Sequence, residues 1–363
     1  MSRLVLCLIC CQAALADEPC AFPVSGPNLS NTPAALMENG HFRQAEAMLE
    51  PMLRAAPDDA DVSWLLSRAK AALGELEPAR RLAERAILAD GSNAEYHVQL
   101  AAIEGRMAEK ASLFKQLGFA KRAKKELDAA LSLDPRNLDA LYGLMLYYYA
   151  APSFVGGDKR KAQEMAETMI AINPARGYLA QARLAKDRKD PIHAEEYYLK
   201  AIDAAPGFYE AKVALSSLYL DIATPKFDVA RKYACEALAI DPAGAQAWKN
   251  LVEIAVADQC WTELDTILSQ AAERNPFDLA PYYVAGAAML REGRLLETAE
   301  AYLRRYAAQA PDANEPPLGI AHWRLATVLD KLGYPGEALE ELTRAVGLEP
   351  SLEGVGKDLK RVK

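Results

Sequence analysis

Apolar and small residues recur along this chain at steps of three and four, in paired runs separated by glycine- or proline-bearing breaks. Residues 245–276 show the pattern plainly. Trp248, Leu251 and Ala255 fall on one face of a first helix, and Leu264, Leu268 and Ala271 on one face of a second, which Pro276 ends. Near the end of the chain, Leu325, Ala326 and Leu329 precede the turn KLGYPGEA, and Ala338, Leu342 and Ala345 follow it. Gly74, Gly118, Gly293 and Gly333 fall at the matching turn, where a positive φ ends the first helix of a pair. No alternating Val, Ile and Thr run of strand type stands out, so the pattern predicts an all-α chain.

The pairs repeat. ALSLDPRNLDALYGL at 130–144 returns in register as ALAIDPAGAQAWKNL at 237–251, the joint between one unit and the next. Aligned on the end of each second helix, Pro57, Gly91, Pro135, Pro174, Pro206, Pro242, Pro276, Pro311 and Pro350 lie 32 to 44 residues apart, on a base step of 34. A step of that length is one helix pair, and stacked pairs bury a continuous core as an α-solenoid. Two insertions break the step. One, near 105–117, lies in EGRMAEKASLFKQLGFAKRAKK, and the other, near 150–158, in YYYAAPSFVGGDKRKA. Insertions in stacked repeats map to one face, often a used one.

On these residues the chain resembles the tetratricopeptide repeat family over 33–350, and secreted bacterial members with a long third unit look similar. Trp248, Tyr178 and Tyr282 stand at the family's first large position, where Lys212 and His322 depart from it. The resemblance implies a right-handed solenoid of about eight full repeats, with a partial one at Pro33 to Pro57. It also implies a non-catalytic scaffold whose concave groove takes a protein or peptide partner. Carried over position by position, the groove residues are Trp64 and Arg68; Tyr142, Leu146 and Tyr149; Arg183 and Lys186; Lys249 and Glu253; Tyr283 and Arg291; and Trp323 and Lys331. Rings interspersed with arginine suit a peptide-binding hot spot. The spaced Lys and Asn with which some members hold a terminal carboxylate are missing, since Lys249 and Asn250 are adjacent.

Composition narrows the function further. With 51% hydrophobic and 25% charged residues the chain reads as folded, and a net charge of −8 argues against nucleic acid and anionic membrane as global partners. His41, His97, His193 and His322 are scattered, and no metal, nucleophile or phosphate-loop motif accompanies them, so neither enzyme, metal nor cofactor is expected. The Gly156-Gly157-Asp158 turn reads as a helix start capped by Asp158 rather than a phosphate cradle. The basic stretch holds Arg106, Lys110, Lys115, Lys121, Arg122, Lys124 and Lys125. It is either a solvated face or, as the alternative function, an envelope polymer or lipid-docking patch at 106–125.

At the N-terminus, Arg3, an apolar run from Leu4 to about Cys11, and Ala14-Leu15-Ala16 before Asp17 have the form of a cleavable export signal, 1–16. The run is far short of the roughly 20 residues that span a bilayer. The sequence therefore divides into that signal, an extended leader at 17–32, the repeats at 33–350 and a tail at 351–363, in a periplasmic or secreted protein. Cleavage leaves Cys20, Cys235 and Cys260, enough for one disulfide and one thiol.

Overall fold

The structure is a computed structural model describing Cys20 and residues 32–38, 40–309, 316–350, 352 and 354–362. The expected signal, most of the leader and Pro311 lie outside the described residues.

After α1 (Pro33–Glu38) and α2 (Phe42–Ala55), helices run in pairs. These are α3 (Ala60–Ala72) with α4 (Leu76–Ala89), α5 (Ala94–Lys110) with α6 (Leu113–Leu133), α7 (Leu138–Ala150) with α8 (Lys159–Ile172), and α9 (Pro174–Asp187) with α10 (Pro191–Ala204). The pairing continues with α11 (Tyr209–Asp221) and α12 (Phe227–Ile240), then α13 (Ala245–Ala257) and α14 (Trp261–Arg274). It ends with α15 (Ala280–Glu292) and α16 (Leu296–Ala307), and α17 (Leu318–Leu332) and α18 (Pro335–Leu348). A last helix, α19 (Val355–Val362), follows Pro350. The described residues contain no strand. The chain divides into an N-terminal unit, 29–211, and a C-terminal unit, 212–363, to which Cys20 belongs.

Each pair starts and turns by local chemistry. Asp59, Asn93, Asn137 and Asn173 cap the first helices of four pairs, each side chain accepting a backbone N–H from the first turn. Between helices, Gly74, Gly293 and Gly333 take φ of +86°, +66° and +87°. Lys189 and Gln259 adopt the same left-handed turn without glycine, at φ 59° and 58°. The backbone bonds agree: Gly74 N donates to the Ala71 carbonyl and Glu75 N to that of Lys70, just as Gln259 N reaches Val256 and Cys260 N reaches Ala255. Gly118 departs from expectation. It lies inside α6, because the first insertion lengthens helices instead of making a loop: α5 has 17 residues against 13 in α3, and α6 has 21 against 14 in α4.

Second helices bury a stripe at steps of four and three. Ala79, Ala83 and Ala86 on α4 recur as Ala230, Ala234 and Ala237 on α12 and as Leu264, Leu268 and Ala271 on α14. Alanines let two helices approach closely, and larger residues such as Leu251 and Trp248 on α13, both essentially inaccessible, fill what remains. The departures at the first large position are answered by charge. Buried Lys212 meets Glu236 on the second helix of its pair, and His322 meets Glu341 likewise. Trp248, in the same place, donates its indole N–H to the Pro242 carbonyl at 2.9 Å. A buried Asn250 gives its amide to Ser216 Oγ and Ser217 Oγ, each at 3.0 Å, tying α13 to α11.

Candidate functional site

Groove positions on the first helices group within each unit. In the N-terminal unit, half-buried Trp64 carries the Arg68 guanidinium 4.9 Å over its ring and lies 5.9 Å from the Tyr96 ring. Tyr96 Oη donates to Asp61 at 2.6 Å; burial first, and then that carboxylate, push its hydroxyl up to about 12. Trp64 Nε1, though buried, meets no acceptor among the described residues. Tyr142 on α7 is half-buried, and burial raises its pKa against the opposing charge of Arg183. Arg183 is exposed and pairs with Asp187 at 3.1 Å. Tyr149 lies under Lys159 Nζ at 5.5 Å, Leu146 is half-buried, and Lys186 is exposed.

In the C-terminal unit, Arg291 and Lys249 both act on Glu253. Burial raises the Glu253 carboxyl, with Arg291 and Lys249 opposing and Asp221 reinforcing the rise. Asp221 is a member of this face that the sequence reading did not single out. Tyr283 packs against Tyr306 at 5.3 Å, and Arg291 lies 3.5 Å from Glu292. Trp323 is already engaged: its indole N–H donates to Asp358 of α19 at 2.9 Å, while Arg361 of α19 reaches Asp330 at 2.8 Å. Lys331 is exposed.

The basic stretch is largely answered within its own helix pair. Arg122 pairs at 2.9 Å with Glu104, a carboxylate only 2% exposed, and stacks on Phe119 at 4.5 Å. Lys124 meets Asp128 at 2.6 Å and Lys125 meets Glu126 at 3.6 Å. Burial lowers the Lys124 pKa, but the Asp128 bond and charge outweigh it and the net shift is upward. Lys115, Lys121 and Lys110 are exposed, and Arg106 donates to the Ala71 carbonyl.

One feature escaped the sequence. Between α5, α6 and α7, closed on one side by the 150–155 turn, lies a cavity of about 1020 Å³ whose walls are mostly Ala, Gly, Leu, Val and tyrosine rings. Both insertions line it, the first through Gly105, Arg106 and Leu117 and the second through Ala151, Phe154 and Val155. The turn is built tightly. Tyr147 Oη donates to the Val155 carbonyl at 2.6 Å, Gly156 has φ +104°, and a Cβ on Gly157 would come within 1.7 Å of the Ala151 carbonyl oxygen. Asp158 then caps α8 through the N–H groups of Arg160 and Lys161. No group of three or more metal-ligating side chains occurs among the described residues.

Comparison with known proteins identifies repeats in two segments. Residues 36–103 and 175–208 match tetratricopeptide repeat models. No curated protein matches the chain by sequence. Among solved structures, yeast Tom70 is similar over 91% of this chain and 80% of its own, at 16% identity and a TM-score of 0.54. A thermophilic TPR protein of Thermus thermophilus is similar over 52% of this chain and 95% of its own, at 20% identity and a TM-score of 0.46. The pilF protein of Pseudomonas aeruginosa covers 61% of this chain and 93% of its own, at 18% identity and a TM-score of 0.37. Identities this low speak for fold alone. Two segments thus carry tetratricopeptide repeats, and the same helix pair repeated along the chain makes it a helical repeat scaffold, an architecture that typically mediates protein interactions.

Proposed function

We propose that this protein is an exported scaffold that holds an extended segment of a protein partner on the first-helix faces of its repeats and performs no chemistry itself. The observation that carries the reading is the set of half-buried rings at groove positions beside cations, above all Trp64 under Arg68. Such rings offer area at low entropic cost, and a guanidinium held over one keeps donors for a partner's carboxylate or carbonyl. The docking of α19 on Trp323 and Asp330 supports it, because the chain's own helix uses a groove ring as an anchor.

Export is supported by the signal-like N-terminus and by a disulfide between Cys20 and Cys235, which suits an oxidising compartment. The alternative, anionic docking through 106–125, is weakened because Arg122, Lys124 and Lys125 each already face a carboxylate.

The test is affinity capture from the native envelope with the chain from Asp17 onward as bait, comparing Trp64→Ala and Tyr283→Ala with a variant carrying Glu at Lys121, Arg122, Lys124 and Lys125. The ring variants are expected to weaken a captured partner by about 1–3 kcal/mol each. Charge reversal is expected to change mainly association rate and salt dependence. Capture abolished by charge reversal and indifferent to the rings would overturn the groove reading. Intact mass of the exported protein is expected to begin at Asp17, and a retained Met1 would overturn the export reading.

A further inference from the structure

The cavity of the third and fourth repeats lies beyond the groove reading, and its form is specific. Protein interiors are close-packed, and empty apolar space forfeits contacts that the walls would otherwise make. Small residues elsewhere in this chain mark close approach: a Cβ on Gly286 would lie 2.8 Å from Leu303, and one on Gly177 would lie 2.3 Å from the backbone of Ile170. Gly105, in the cavity wall, differs. A Cβ there meets nothing within 4 Å among the described residues, so this glycine faces space that no described neighbour fills. The space of about 1020 Å³ is at the upper end of what small-molecule sites enclose.

The walls say what fits. The Tyr147 hydroxyl is spent on Val155 and Asp139 pairs with Arg176 of α9, which leaves Gln116 and Tyr142 as the remaining uncharged polar side chains of the wall. An extended peptide would therefore bring backbone N–H and C=O groups to a surface that offers them few partners, at a cost of the order of 1–3 kcal/mol for each group left unmet. A hydrocarbon chain brings none. Of the charged groups in the wall, Glu109 is exposed to solvent, whereas Arg106 is half-buried. Its guanidinium is oriented by the Ala71 carbonyl and pairs with no carboxylate among the described residues. Phe154, 81% exposed on the rigid turn, adds an apolar ring to the rim.

We propose that this cavity binds a fatty acid of about twelve carbons or more, with the hydrocarbon between α5, α6 and α7 and the carboxylate at Arg106. The groove reading does not depend on it, and only Tyr142 and Leu146 belong to both surfaces.

Titration calorimetry of the full chain with sodium dodecanoate below its micelle concentration, and in parallel with dodecanol, tests the assignment. Wild type is expected to bind dodecanoate at one saturable site. Gly105→Leu fills the cavity and is expected to weaken that binding by at least about tenfold, with no loss of melting temperature because a helical glycine is replaced. Gly118→Leu, on α6 but outside the cavity, is expected to bind as wild type. Arg106→Gln is expected to weaken dodecanoate by about tenfold while leaving dodecanol within about twofold, the mark of a lost charge-assisted contact. The proposal is overturned by no saturable binding in wild type, by binding that survives Gly105→Leu, or by an Arg106→Gln effect equal for acid and alcohol. Saturation by an amphipathic helical peptide but not by dodecanoate would assign the cavity to a protein partner and overturn it equally.

Discussion

Leu251→Ala tests the repeat core at its most enclosed point. Leu251 is 0% exposed on α13, in a pair where Trp248, Leu264, Ile267 and Leu268 are each at most 2% exposed. Removing three carbons at ~0.8 kcal/mol each costs about 2.4 kcal/mol in transfer alone. Rigid neighbours on both helices limit collapse around the gap, so the residual cavity raises the total to about 3–5 kcal/mol. In a stacked array each pair contacts only its neighbours, so the loss stays local. Hydrogen exchange followed by mass spectrometry is the assay. Amides of α13 and α14 are expected to exchange about a hundredfold faster, the equivalent of roughly 3 kcal/mol, with a smaller rise in α11, α12, α15 and α16. Segments α3 and α4 should not change. Leu88→Ala, at a residue 87% exposed, is the control and is expected to alter stability by less than about 0.5 kcal/mol. A uniform acceleration across all helices, or one below about threefold in α13 and α14, would refute the reasoning.

Gln259→Gly relieves a left-handed backbone that its counterparts Gly293 and Gly333 adopt freely, and is expected to stabilise the chain by about 0.5–1 kcal/mol in chemical denaturation. Burial pushes the Glu341 carboxyl up, but the His322 hydrogen bond and the charges of His322 and Arg344 outweigh it and hold the group below its usual value. Its contribution is therefore full above the unfolded-chain pKa near ~4.3 and is lost as pH falls through the lower folded value, so Glu341→Gln should flatten the acid limb of a melting-temperature profile. In the chain from Asp17 onward, alkylation without reductant is expected to label Cys260 alone, and Cys20 and Cys235 only after reduction, as read by peptide mapping.

The helix pairs were legible because their signal is local. A stripe such as Ala338, Leu342 and Ala345 specifies both a helix and the face it buries, and all three are inaccessible in the structure. Turn chemistry was less legible than it looked. Glycine permits a positive φ but does not require one, so Gly118 continues a helix, while Lys189 and Gln259 make the turn that glycine makes elsewhere. What decides is the length of the connection. Where only two or three residues join two helices of standard length, as at Gly74, Lys189, Gln259, Gly293 and Gly333, at least one of them turns left-handed whatever its side chain, whereas the longer 222–226 connection has no such residue. The elongated α5 and α6 use another connection.

The candidate surfaces divide along the same line. A ring at a repeating position, such as Trp64 or Tyr283, can be placed by counting from its neighbours in the period, because every repeat presents that position alike. The cavity cannot be placed that way, because it arises where the period fails. Ala101, Gly105 and Ala120 read in sequence like the small residues that bring helices together at Gly177 and Gly286. Whether such a residue marks contact or space depends on where the opposing helix lies, and that is set by the length of two insertions about forty residues apart. The longer hairpin carries its small residues past the neighbours that would have filled them, and the rigid 150–155 turn closes one side of the resulting gap. In a solenoid of this kind the regular repeats supply a stable frame, and a site with individual shape arises where two irregularities fall in adjacent repeats and face each other.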